Sequence, residues 1–334
     1  MKTRGPFFLI VLLALSVTGV MAAAASPKAG PAVDLRPPAA DDPKPPASPV
    51  KLIFIHHSTG EAWLGDGHGR LGITLRNNKY FVSDTNYGWG PNAPTLGGPI
   101  GSYTDIGHWW TWFRSDRRDV FMNALFTESD QHSSYSRLAN DPGGENEIIM
   151  FKSCFPNSHI SGKPGDPPTT GNNPLRGQGA GSEYMTVANV KGLYRDLLNY
   201  FSTRQDKLFV LIVTPPLVKK ATDAAHAANA RAVANWLIND WLDDYDYENA
   251  AVFDFYNVLT SNGGGPNKND LGRASGNHHR WWNGAVQRIK TVNNNYLAYG
   301  SSSTDSHPAP AGGRKASAEF VKLLNVFYHR WKAT

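Results

Sequence analysis

Five short apolar runs, at residues 52–55, 80–83, 147–151, 207–213 and 251–255, recur along the chain with much longer stretches between them. Each has the length of a buried strand, and the third to fifth are too far apart to pair through hairpin turns. Several of the intervening stretches carry helical spacing instead. Residues 185–201 place Val187, Val190, Leu193, Tyr194, Leu197, Leu198 and Phe201 three or four apart, which puts them on one face of a helix. Residues 224–241 do the same with Val233, Trp236, Leu237 and Trp241, and residues 314–331 with Phe320, Leu323, Leu324 and Phe327. Strands joined by helical crossovers predict an α/β chain with a mostly parallel sheet and helices on both faces, a three-layer α/β/α sandwich. Such a sheet gathers the carboxyl ends of its strands on one edge, where open α/β sheets hold their ligands.

Between these elements the pattern is less regular. Residues 61–78 read as helical in part, interrupted by Gly65, Gly67, Gly69 and Gly72, since glycine weakens a helix interior. Residues 120–126 fit a strand or a helix. Residues 159–182 read as a Pro/Gly-rich loop. Two stretches, 85–118 and 259–303, exceed ordinary loop length. The first holds Trp89, Trp109, Trp110 and Trp112, the second Trp281 and Trp282. That aromatic content argues against disorder, so both are expected to be ordered, Trp-rich loop insertions.

The first residues stand apart. Met1-Lys2-Thr3-Arg4 is basic, residues 6–22 are apolar, and Ala22–Ala25 offers small-residue cleavage sites. This is the pattern of a secretory signal peptide, assigned to residues 1–25. Residues 26–50 are Pro-rich and are expected to form a disordered linker. Residues 51–334 form the expected single domain, for a product that is secreted or periplasmic and carries no membrane segment once cleaved. The only cysteine is Cys154, so no intrachain disulfide exists. The formal net charge of +5 loses two charges with Lys2 and Arg4, and its scattered basic residues exclude a nucleic-acid partner. Oligomeric state is left open.

Three chemically competent segments fall at predicted element boundaries. Ser58 follows the first run in His56-His57-Ser58-Thr59-Gly60, and Asp305-Ser306-His307 precedes the last helix. A hydroxyl, a base and an orienting carboxylate are what acyl transfer needs. Asn157 follows the third run, where a side-chain amide can donate to an oxyanion. Each has a plainer role: Ser58 and Asp305 as helix caps and Asn157 as a turn residue. Cys154, with His159 nearby, is a rival nucleophile or a small buried residue. His56-His57 and His278-His279 could join Asp305 and His307 around a metal, but no helical His spacing supports one, and neither metal nor cofactor is expected.

Ser58, Asn157 and the Asp305/His307 pair, in that order over residues 51–334, resemble the SGNH (GDSL) hydrolase superfamily. The resemblance implies a flavodoxin-like sandwich. It implies Ser58 as nucleophile, His307 as base and Asp305 as orienting acid. It also implies an oxyanion hole from Ser58, Asn157 and a glycine, for which Gly88 is the best match. Thr214-Pro215-Pro216 and Phe253-Asp254-Phe255-Tyr256 look like the family's later segments. The chain departs from the pattern in having His56-His57-Ser58 for Gly-Asp-Ser and Asp-x-His for Asp-x-x-His. The shorter pair is also similar to that of polysaccharide O-acetyltransferases.

Sugar rings stack on aromatic planes, so Trp89, Trp109 and Trp110, with His57 beside Ser58, are the expected substrate-binding residues; the alternative is that the tryptophans pack the loops. The resulting expectation is an exported serine esterase that removes acetyl or other acyl groups from a carbohydrate. Its alternatives are an O-acetyltransferase using the same residues, a catalytically silent carbohydrate-binding domain, and more distantly a metal-dependent hydrolase.

Overall fold

The computed structural model describes residues 41–265 and 267–334. The expected signal segment and residues 26–40 of the expected linker lie outside them. The described chain runs β1 (Val50–Ile55), α1 (Ser58–Leu64), α2 (Leu71–Asn77) and β2 (Tyr80–Thr85). A short antiparallel pair, β3 (Asn92–Ala93) and β4 (Gly98–Pro99), leads to α3 (His108–Arg114), α4 (Arg118–Thr127) and β5 (Ile148–Lys152). Then come α5 (Val187–Phe201), β6 (Leu208–Ile212), α6 (Ala224–Asn239), β7 (Ala250–Phe253) and α7 (Phe255–Val258). An antiparallel hairpin, β8 (Asn277–Trp282) with β9 (Ala285–Lys290), precedes α8 (Pro310–Lys332).

β1, β2, β5, β6 and β7 make one parallel sheet in the order β2-β1-β5-β6-β7. Side chains alternate faces along a strand, and the core divides accordingly. Ile53, Ile55, Ile149, Phe151, Phe209 and Leu211 pack with residues of α3, α4, α5 and α6. Leu52, Phe54, Ile148, Met150, Leu208, Val210 and Ile212 pack with residues of α1, α2 and α8. The strands read as continuous apolar runs because both faces are covered. Each fully buried Leu, Ile or Phe contributes about 1.5–3 kcal/mol relative to exposure.

Local signals start the helices. The Thr186 side chain accepts from the Asn189 N–H at α5, and Asp223 accepts from the His226 N–H at α6. Either cap is worth about 1 kcal/mol. Pro310 opens α8, where its missing N–H leaves no bond unmade.

The structure differs from the expectations at several points. Residues 120–126 are helical, within α4, whose buried Phe121, Met122, Leu125 and Phe126 sit at helical spacing. Residues 61–78 hold two helices broken at Gly65, where a turn begins. Trp109, Trp110 and Trp112 lie on α3 rather than on a loop. Trp281 and Trp282 end a strand of the β8–β9 hairpin. Residues 41–49 are not a free linker: Asp41 pairs with Arg330 Nε at 2.7 Å, and the Pro43 carbonyl accepts from Asn325 Nδ2 at 2.8 Å.

Candidate active site

In the sheet order, the direction of winding reverses between β1 and β5. Beyond the carboxyl ends of two such strands the crossovers diverge and leave a crevice. Ser58 emerges there from β1, and Cys154 and Asn157 emerge from β5.

Ser58 is the first residue of α1, and the cap position before it belongs to His57, which is extended and makes no side-chain cap bond. The Ser58 hydroxyl is therefore not a helix cap. It meets His307 Nε2 at 3.0 Å across 249 residues of sequence. His307 Nδ1 faces Asp305 Oδ1 at 2.8 Å, and the His307 backbone N–H donates to the same oxygen at 2.9 Å. Those two bonds from His307 hold the Asp305 carboxyl below its ordinary pKa. The Phe155 ring stands edge-on to the His307 ring at 4.8 Å. Hydroxyl, imidazole and carboxylate thus stand in series. The imidazole can take the hydroxyl proton while the carboxylate fixes its orientation and stabilises the resulting charge.

The turn that carries Ser58 is braced from below. His56 is buried; its Nε2 lies 3.0 Å from Asp84 Oδ2 and its Nδ1 lies 3.1 Å from the His57 carbonyl. Burial pushes the Asp84 carboxyl up, but hydrogen bonds from His56, Ser133 and the His132 N–H outweigh it and leave the group below its ordinary value. Gly60 lets α1 sit this close, since a Cβ there would come within 2.4 Å of His56 Cβ.

The other expected site residues are distributed differently. Asn157 is fully buried, and its amide donates to Asp105 Oδ1 at 2.6 Å and to the Cys154 carbonyl at 3.2 Å. Its Oδ1 accepts from the Ile106 N–H. Asn157 ties α3's approach to the turn after β5, with both amide hydrogens engaged there. The Gly88 N–H likewise donates to Ser102 Oγ at 2.9 Å.

Trp89 and Trp109 are core residues rather than sugar platforms. Trp109 is fully buried with its indole N–H on Ser153 Oγ, and Trp89 stacks on Trp112 at 5.9 Å with its N–H on Glu128. Trp110 lines a cavity of about 440 Å³ with Leu96, Arg117 and Phe121, and that cavity includes neither Ser58 nor His307. His57 is buried beneath Tyr87, whose ring stacks on it at 3.8 Å. His57 Nε2 donates to the Gly101 carbonyl at 2.7 Å, so Nδ1 accepts from Thr104 Oγ1 at 3.0 Å. Burial lowers His57 to about 4 and keeps the ring neutral. It is a shelf for Tyr87, not a surface that a substrate meets.

Tyr87 is what the sequence reading missed. It is 62% exposed, follows the carboxyl end of β2, and its phenol lies near Ser58. Its backbone is fixed by the Asn86 side chain. The available signal was its position just past a strand end, on the edge where the sheet presents its functional groups. Lys152 was missed as well: a charged residue closing an apolar run, it is fully buried beside Cys154.

The paired histidines belong to separate networks. His278 Nδ1 lies 2.7 Å from Glu319 Oε1, and His279 Nδ1 accepts from the Asp254 N–H. Among the described residues, no three His, Cys, Asp or Glu side chains converge on one point. No family model, curated protein or solved structure matches the chain significantly.

Proposed function

We propose that this chain is an exported ester hydrolase of the SGNH type, acting on an acyl group, most simply acetyl, carried by a carbohydrate. The observation that carries the reading is the Ser58–His307–Asp305 series, with contacts of 3.0 and 2.8 Å. Counting only the strands of the large sheet, the order is 2-1-3-4-5, which supports a flavodoxin-like sandwich. A silent binding domain has no need to hold these three groups in reach of one another.

In the proposed reaction His307 takes the Ser58 proton as Oγ attacks the acyl carbon. The oxyanion is met by the Ser58 N–H and the Tyr87 hydroxyl. His307 then returns the proton to the leaving alcohol and activates water against the acyl-enzyme. Removing one oxyanion donor typically lowers turnover on the order of 10²–10³. With two tryptophans withdrawn to the core, support for a sugar substrate rests on Tyr87, an exposed ring beside the nucleophile. The openness of the site adds to it: the His307 and Asp305 side chains are 37% and 44% exposed, which suits a bulky hydrophilic substrate.

Transfer to a second sugar is the other reading, favoured by the tight Asp-x-His turn. The test is a panel of p-nitrophenyl esters and acetylated polysaccharides, run with the protein and its Ser58→Ala variant. Acetate release that depends on Ser58 supports hydrolysis. Acetyl appearing instead on added oligosaccharide supports transfer. Undiminished turnover in Ser58→Ala overturns the serine mechanism.

A further inference from the structure

The thiol next to Ser58 takes no part in that reaction. We propose that Cys154 is a peroxide-reactive modification site whose oxidation closes the Ser58 site. The closing effect rests on Ser58 being the nucleophile; the reactivity of the thiol does not.

Three groups surround the sulfur. Lys152 Nζ lies 3.3 Å from Cys154 Sγ and donates also to the Ser153 carbonyl at 3.2 Å. Lys152 is fully buried, and no carboxylate is among its hydrogen-bond partners. A buried ammonium without an anion is costly, and the thiolate is the anion in reach. Thr59 is 1% exposed, its Oγ1 has no hydrogen-bond partner, and the residue lies near the sulfur. Ser58 Oγ is the third neighbour, at 3.9 Å. Cys154 itself is partly exposed, so a small solute reaches it.

Electrostatics agree with this geometry. Burial pushes the Cys154 thiol up, but Lys152 and the Thr59 donors outweigh it and leave it below its ordinary value; burial also lowers Lys152. Tyr87, Asp105 and His57 are the other titratable groups near the pair. The Asp105 carboxylate is held by the Asn157 amide and the Ala180 N–H. Thiolates flanked by a cation and hydrogen-bond donors are the reactive form of cysteine, and the ones that oxidise first.

The co-reactant is hydrogen peroxide or an organic hydroperoxide. The thiolate attacks one peroxide oxygen; the S–O bond forms as the O–O bond breaks. Sulfur is oxidised by two electrons and takes the OH group, giving a sulfenic acid. The departing hydroxide or alkoxide takes a proton from solvent and leaves as water or alcohol. Lys152 already holds one side of the sulfur at 3.3 Å, and the added oxygen lies on the side that faces Ser58, 3.9 Å away. There it competes with His307 Nε2 for the Ser58 hydroxyl.

The test treats the purified protein with graded hydrogen peroxide, traps the sulfenic acid with dimedone, and reads the Cys154 peptide by mass. Hydrolysis of p-nitrophenyl acetate is followed in parallel. The expected result is an adduct on Cys154 with loss of most turnover, restored by dithiothreitol. Cys154→Ala keeps its turnover through the same treatment. Lys152→Met forms the adduct on the order of ten-fold more slowly, because the thiolate loses its cation. If Lys152→Met does not fold, Thr59→Val asks the same question with a slowing of roughly three-fold. Trapping no faster in the wild type than in these variants overturns the thiol proposal, and an adduct that leaves turnover intact overturns the closing of the site. If no ester is hydrolysed at all, the hydrolase reading fails separately, and the trapping rates still decide the reactivity of Cys154.

Discussion

His307 holds Asp305 by two bonds to one oxygen: Nδ1 lies 2.8 Å and the backbone N–H 2.9 Å from Asp305 Oδ1. With one residue between them, the carboxylate caps the turn and orients the ring together. The Asp-x-x-His pattern steps three residues from acid to base; here a two-residue step still reaches.

That double contact makes Asp305→Ala informative. We expect kcat for p-nitrophenyl acetate to fall by about 10²–10⁴, as when the orienting acid of a triad is lost. The melting temperature should barely move, since the Asp305 side chain is 44% exposed. Unchanged turnover would remove Asp305 from the series.

Tyr87 offers a split between binding and chemistry. Tyr87→Phe keeps the stack on His57 and removes the hydroxyl. If the hydroxyl meets the oxyanion, kcat should fall roughly 10- to 100-fold with KM little changed. Tyr87→Ala should in addition raise KM for an acetylated polysaccharide. A Phe variant with wild-type kcat would leave Tyr87 as a platform alone.

Stability should fall as the medium is acidified from about pH 6.5 to about pH 4. His57 and His279 are each lowered to about 4: by burial, against the Gly101 bond, for His57, and by burial, against Asp254, for His279. In the unfolded chain both protonate near 6.5. Between those values the unfolded state therefore binds more protons, and stability drops by about 1.4 kcal/mol per pH unit for each ring, up to about 3 kcal/mol each. Below about 4 this contribution levels off. Urea midpoints measured from pH 7 to 4.5 would show it; a flat series would contradict it.

Trp109→Ala tests the core assignment. The ring is fully buried and stands edge-on to Phe151 at 5.1 Å. Its loss should destabilise the fold by about 3–5 kcal/mol and lower the melting temperature by roughly 10 °C. Below that temperature, polymeric and small esters should be turned over in the wild-type ratio. A selective loss on the polymer would return Trp109 to the substrate.

What the sequence disclosed follows from what its periodicities encode. Apolar runs bounded by turn residues located the sheet strands within a few residues, because burial on both faces leaves an unbroken signal. Ser58, Asp305 and His307 could be named because each stands at a predicted element boundary. Asn157 stands at such a boundary too, yet its amide turned toward Asp105, and no spacing rule records which way a side chain faces. For the tryptophans both substrate contact and packing were open: Trp109 and Trp112 lie three apart on α3, but a helix this short carries too little periodicity to decide between them. Tyr87 carried no pattern at all; its importance comes only from a fold that brings the end of β2 beside the end of β1.

The segment from Asp41 to Val50 has a geometric consequence. It is clasped by Arg330, Asn325 and His329 near the far end of α8 and then enters β1 at its amino end. Ser58 lies at the other end of that strand, roughly 20 Å away at 3.3 Å per residue. The chain therefore enters the domain at the base of the sheet, the whole length of β1 away from the rim that carries Tyr87 and His307.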